Sequence, residues 1–364
     1  MILAVLVAAA LIFSLLYGWS AFFDDLHPLE VWLWIPYAII GSLVAYFILS
    51  FLDRERRVRF FHLVTILSVP LILQPIASYL NDHSPAKFWT VGFYEEGLKI
   101  LPVVLLAIYV PNLIRTRKDG IVYGALAGMG FNILEMGLYL ARVLHEYSMI
   151  ETWYQQSTRL GLFGFGGHII WSAFVGMGVG FAAESTAHGW QKWKRAVYFY
   201  LIAAVMHSLY DLGISSLGMV AIVMIESFFT GIPAEEAMQS LDTGSGPIYD
   251  GMRYGVYLYT IVLIIIMIVQ IRRSFAWENT MQAYELSSEE ESVITKAELN
   301  KLKRERLFFK RKYTDVPKEV GAKMVLYQNL LAMQKHTAAQ LGNSLDSVGP
   351  VVTLRGAIQA LRSR

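Results

Sequence analysis

The chain has 364 residues, 55% of them hydrophobic and only 16% charged, with a formal net charge of +2 and no cysteine. An average soluble domain carries about 25% charged residues, so a uniform soluble globule and a disordered chain are both excluded. No basic stripe of the nucleic-acid-binding kind is present, and disulfides, thiolate zinc sites and thiol nucleophiles are excluded outright.

The charge is unevenly spread. Residues 1–273 hold 36 of the 60 charged side chains, and the 91 residues that follow hold the other 24. The split predicts a membrane-embedded body over 1–273 and a charged cytoplasmic tail over 274–364. Apolar runs of about 20 residues can span a bilayer. Eight are predicted, at 2–23, 31–52, 62–80, 88–110, 121–142, 160–183, 196–217 and 252–271. The fold class expected is all-α: a polytopic membrane helix bundle of about eight transmembrane helices, with a helical tail. The first run lacks the basic start and small-residue cleavage site of a signal peptide, so it reads as a span.

The loops give the orientation. Arg54, Arg56, Arg57 and Arg59 lie in one loop, Arg115, Arg117 and Lys118 in another, and Lys192, Lys194 and Arg195 in a third. Arg272 and Arg273 close the last span. Loops poor in basic residues alternate with these: 24–30, 81–87, 143–159 and 231–251. Basic loops stay in the cytoplasm, so both termini are expected there. The apolar segment 218–230 is too short for this alternation and reads as a re-entrant or interfacial piece. In the tail, 296–312 and 320–337 mix charge with apolar spacing and are expected to be helical. They could pack on the membrane face, form a small domain or receive a cytoplasmic partner.

Ionisable groups inside a span cost at least about 2.5 kcal/mol each on the insertion scale and are functional by default. The fourth span carries Glu95, Glu96 and Lys99; the fifth carries Glu135; the sixth carries His168; the seventh carries His207 and Asp211. These spans alternate in direction. At 1.5 Å per residue, Glu95, Glu135, His168, His207 and Asp211 fall roughly 9–15 Å below the outer boundary, in one layer. His207 and Asp211 are four apart and share a helix face, as do Glu95 and Lys99. Each group alone has a structural explanation, as an ion pair, a core histidine or a packing hydrogen bond. Together at one depth they point to a site, where a carboxylate could act as general base on water. Glycines at 124, 128 and 130 and at 164, 166, 167, 176, 178 and 180 allow either close helix packing or a gap for a substrate helix.

These residues resemble the PrsW family of intramembrane proteases, which belongs with CAAX-prenyl endopeptidases and bacteriocin-processing enzymes. The matching motifs are E-E-x-x-K (Glu95, Glu96, Lys99), F-x-x-x-E (Phe131, Glu135), a glycine-flanked His168 and H-x-x-x-D (His207, Asp211). They cover about residues 90–215. The resemblance implies a peptidase in a prokaryotic plasma membrane that cuts membrane-associated proteins near the extracytoplasmic face, such as a single-span anti-sigma factor. Its catalytic residues would be Glu95, Glu96, His168 and His207, supported by Lys99, Glu135 and Asp211. Two chemistries stay open. In one, glutamate and histidine activate water without metal. In the other, zinc is held by Glu96, His168 and His207. The expected partners are the lipid bilayer and a transmembrane protein substrate, with no nucleic acid. A non-catalytic scaffold subunit and a proton- or ion-coupled transporter are the alternative readings.

Overall fold

A computed structural model describes residues 28–52, 60–84, 88–110, 113–146, 164–185, 187, 189–211, 224, 227–228, 231, 233, 247–305, 312–313, 315–340, 342 and 349–363. The helices among them are α1 (Pro28–Leu52), α2 (Phe60–His83), α3 (Phe88–Tyr109), α4 (Arg117–Glu146), α5 (Gly167–Glu184), α6 (Trp190–Asp211), α7 (Pro247–Leu286), α8 (Lys296–Lys303), α9 (Lys318–Gln340) and α10 (Gly349–Arg362). The architecture is all-helical among the described residues. The predicted first span and nearly all of 218–230 lie outside them.

The chain divides into two compact units, Met1–Met267 and Ile268–Arg364. The boundary falls inside α7, a single 40-residue helix that runs well past the predicted span end at 271. In the first unit α4 is central, packed against α1, α2, α3 and α5, while α6 lies against α3 and α5. The burial pattern of this unit is inverted relative to a soluble domain. Phe47 on α1 is 65% exposed and Leu258 on α7 is 63% exposed, yet Glu96 and Lys99 are fully buried. Lipid favours this arrangement, because apolar side chains lose nothing by facing it and charges must turn inward.

Two described helices, His62–His83 and Leu258–Leu286, are long and apolar enough by themselves to cross a bilayer, and Ala38–Leu52 is a shorter apolar helix. That is fewer than the eight predicted. A physical cause is visible in α3, where three charged side chains interrupt the apolar run.

The sixth predicted span also starts later than expected. Among its described residues, 164–166 are not helical and α5 begins at Gly167. Gly164 adopts a φ of +84°, a conformation that only glycine takes without strain. His168 therefore stands in the first turn of α5 rather than two turns inside it.

Glycine decides how α4 and α5 meet. A Cβ on Gly120 would overlap the Gly176 carbonyl oxygen, one on Gly124 that of Ser172, and one on Gly128 that of His168. These three glycines recur every four residues, so they form one stripe on α4. The two backbones touch along it, which answers the choice left by the sequence: the stripe is used for close packing.

The second unit has its own apolar core, formed by Ala283, Leu286, Val293, Ile294, Leu302, Leu331, Ala332, Val351 and Ile358. The first predicted tail helix, 296–312, is helical only to Lys303 among its described residues. A capping box starts it: Glu298 N–H donates to Thr295 Oγ1 (3.2 Å), and Thr295 N–H donates to Glu298 Oε2 (2.8 Å). Helix α10 was not singled out from sequence. A partly buried ion cluster ties the unit together: Lys335 lies 2.6 Å from Glu289, and Arg355 grips the same carboxylate through two nitrogens at 2.8 Å.

Candidate active site

Four helices bring the seven ionisable groups together. Helix α3 supplies Glu95, Glu96 and Lys99, α4 supplies Glu135, α5 supplies His168, and α6 supplies His207 and Asp211. All are buried except Asp211, which is partly open. The glycine stripe matters here, because it sets α5 against α4 at the turn that carries His168.

Lys99 is the hub. Its ammonium has three protons to donate. They go to Glu95 Oε2 (3.0 Å), Glu96 Oε1 (2.9 Å) and His168 Nδ1 (2.6 Å). Since lysine can only donate, His168 Nδ1 accepts. The remaining ring proton then sits on Nε2, which donates to Glu135 Oε2 at 2.5 Å. His207 Nδ1 donates to Glu96 Oε1 at 2.9 Å. Ser172 Oγ donates to the other Glu96 oxygen at 2.8 Å. Both oxygens of Glu96 are thus taken up in holding the cluster.

His207 Nε2 is different. It is buried and makes no hydrogen bond among the described residues. Glu95 Oε2 and Asp211 Oδ2 lie 3.5 and 3.2 Å from it. With Nδ1 donating to Glu96, Nε2 faces two carboxylates, an arrangement satisfied by a second ring proton or by a cation between them. The cluster holds four carboxylates around one ammonium, so a divalent cation would relieve an excess of negative charge.

The donor set fits such an ion. Glu95, His168 and His207 each offer one ligand atom, and these atoms all lie within 4.8 Å of one another. Two imidazoles and one carboxylate are a familiar zinc set that leaves a fourth position for water. The carboxylate of this group is Glu95. The sequence reading placed Glu96 there, but Glu96 points toward His207 Nδ1, Lys99 and Ser172. Adjacent residues on a helix diverge by about 100°, and only the packing of α5 and α6 decides which of the two faces the imidazoles.

Several supporting residues were not singled out from sequence. Asn81 on α2 donates to Glu95 Oε1 at 3.0 Å. Trp171 stacks on His207 with ring centroids 4.1 Å apart and planes 19° apart. Its indole N–H donates to Tyr259 on α7 at 2.9 Å. Ser172 and Trp171 stand four and three residues after His168, so helical spacing could have nominated them. Asn81 and Tyr259 come from other helices and carry no such signal.

Helices with apolar outer faces around buried carboxylates and imidazoles are the makings of an intramembrane hydrolase. A family model described as "PrsW family intramembrane metalloprotease" matches residues 30–232, more than half of the chain. The chain belongs to the PrsW family, and is accordingly an integral membrane protein and a peptidase. Protease PrsW of Shouchella clausii (strain KSM-K16) is 28% identical over 168 residues, covering 44% of this chain and 70% of that relative. No solved structure matches the chain.

Proposed function

We propose that the protein is an endopeptidase that hydrolyses single-span membrane proteins near the extracytoplasmic face, using the cluster built on Glu95, His168 and His207. The observation that carries this reading is the convergence of these three side chains, from three helices, in a buried site anchored by Lys99. The alternation of basic loops supports a topology of eight spans with both termini in the cytoplasm of a prokaryote. Asn81, His168 and Asp211 stand at or near helix ends that this topology places outside, so the cut falls there. The family resemblance points to first-site cleavage of a regulator such as an anti-sigma factor.

The roles follow from the contacts. Glu96 accepts from His207 Nδ1 and fixes that ring. Glu135 fixes His168 through Nε2. Lys99 neutralises part of the charge and bridges Glu95 and Glu96. Asp211 faces His207 Nε2 and, being partly open, passes protons to and from water. Glu95, His168 and His207 would hold zinc, which when bound supplies Lewis-acid polarisation of the peptide carbonyl and an acidified water. One observation favours a metal-free version. Both nitrogens of His168 are already engaged, by Lys99 and by Glu135, which leaves Glu95 as a base on water positioned by His207.

Reconstituted protein, incubated with dye-labelled single-span polypeptides and the products mapped by mass spectrometry, tests this directly. Cleavage is expected within or just outside the extracytoplasmic end of the span. Loss of cleavage with chelator and recovery with zinc selects the metal form, while indifference to chelator selects the metal-free form. Absence of any cleavage across a panel of such substrates overturns the reading.

A further inference from the structure

Asn132 on α4 is 1% exposed, and neither its amide nitrogen nor its amide oxygen makes a hydrogen bond among the described residues. A buried amide with both ends unpartnered is costly, and native chains retain few of them without a use. Its position suggests the use. At 100° per residue, Gly128, Asn132 and Glu135 fall within about 60° of one another on α4. Gly128 abuts the His168 carbonyl, and Glu135 holds His168 Nε2. Asn132 lies between them along the helix, and its Cβ leans toward the N-terminal, Gly128 side. It therefore belongs to the α4 face that carries the His168 contacts, yet it bonds to none of the charged groups.

We propose that Asn132 binds the main chain of the substrate next to the cleavage point, resting on the protease function proposed above. An amide side chain offers an NH2 donor group and a carbonyl acceptor in a single plane. That pattern complements the C=O and N–H of a peptide group. A transmembrane helix satisfies its own backbone, so a protease must unwind it before cutting. Unwinding frees N–H and C=O groups that lipid cannot satisfy. Asn132 meets one such pair where His168 and Glu95 wait. Its unpartnered ends are then a property of the free enzyme and are filled on substrate binding.

The test compares Asn132→Leu, which keeps the branched heavy-atom shape and removes both polar ends, with wild type in lipid nanodiscs. The probe is a dye-labelled single-span polypeptide of about 22 apolar residues followed by a Gly/Ser-rich outer segment. Asn132→Leu is expected to raise KM about tenfold, the worth of one buried hydrogen-bonded pair, with kcat changed less than about threefold. Its melting temperature should stay close to that of wild type, because removal of an unpartnered amide offsets the cost of the larger side chain. Affinity for the probe is measured separately in the Glu95→Gln background, where adding Asn132→Leu should weaken binding about tenfold. Asn132→Ser, a smaller change, should weaken binding in the same direction. Equal affinity with and without Asn132→Leu or Asn132→Ser overturns the proposal. Cleavage by Glu95→Gln at the wild-type rate would instead overturn the protease mechanism, and the binding comparison would still be read.

Discussion

Gly128→Ala places one methyl group where two backbones meet. The added Cβ would overlap the His168 carbonyl oxygen, with the carbonyl carbon 2.9 Å and Ile169 Cα 3.0 Å away. No flexible side chain is present to yield, so the first turn of α5 must retreat by about 1 Å to reach ordinary contact distance. His168 travels with that turn, away from Lys99 and Glu135. A misplacement of about 1 Å in a catalytic group costs roughly 100-fold in rate. The accompanying overpacking costs about 1–3 kcal/mol of stability. The assay is kcat/KM on a single-span substrate in nanodiscs, alongside thermal melting. Gly356→Ala is the control, because a Cβ there meets open space; it should leave kcat/KM unchanged and, at an exposed helix position, should not lower the melting temperature. If Gly128→Ala cleaves within about threefold of wild type while remaining folded, the α4–α5 contact does not set the position of His168.

Other predictions rest on separate contacts. Lys99→Met removes the shared donor of Glu95, Glu96 and His168 and leaves buried carboxylates uncompensated. A loss of about 3–5 kcal/mol of stability is expected on chemical denaturation, and an unchanged denaturation midpoint would contradict the hub role. Tyr259→Phe deprives the Trp171 indole of its acceptor and loosens the ring stacked on His207. Activity should fall about fivefold with an altered tryptophan emission, and unchanged emission would show that Trp171 is held by packing alone. In the second unit, burial pushes the Glu289 carboxyl up, but hydrogen bonds and charge from Arg355 and Lys335 outweigh it and hold the group below its ordinary value. Its stabilising contribution is therefore full at neutral pH and is lost as pH falls through that lowered value. Hydrogen exchange of α9 and α10 should rise in strong acid, and Glu289→Gln should reproduce the rise at neutral pH. Protection that survives both changes would contradict the ion cluster's role.

Much of the helix layout was legible because an apolar run of about 20 residues has few other fates. The seven ionisable groups were legible for the complementary reason: each interrupts such a run. What sequence could not supply was direction in space. Glu95 and Glu96 are neighbours with identical chemistry, and only the positions of α5 and α6 separate the one facing the imidazoles from the one that holds His207 through Nδ1. The start of α5 was misplaced because 164–166 is apolar and glycine-containing, and composition does not distinguish a non-helical entry from a first helical turn. Glycines 124 and 128 stood out in the sequence, but Gly120 did not, and which helix the stripe meets required the fold. Helix α10 was within reach, since Val351, Leu354 and Ile358 recur at helical spacing and all join the apolar packing of their unit. Asn81 and Tyr259 reach the site from helices whose sequences carry no sign of it.

The most direct measurement is single-turnover cleavage of a reconstituted single-span substrate by Glu95→Gln. This change keeps the side-chain volume and the oxygen that accepts from Asn81, but removes the charge that would take a proton or bind a metal. A rate lowered by about 10²–10⁴, with the protein folded and substrate binding retained, is the predicted result. Cleavage at the wild-type rate would mean that peptide hydrolysis occurs elsewhere than at the Glu95–His168–His207 cluster.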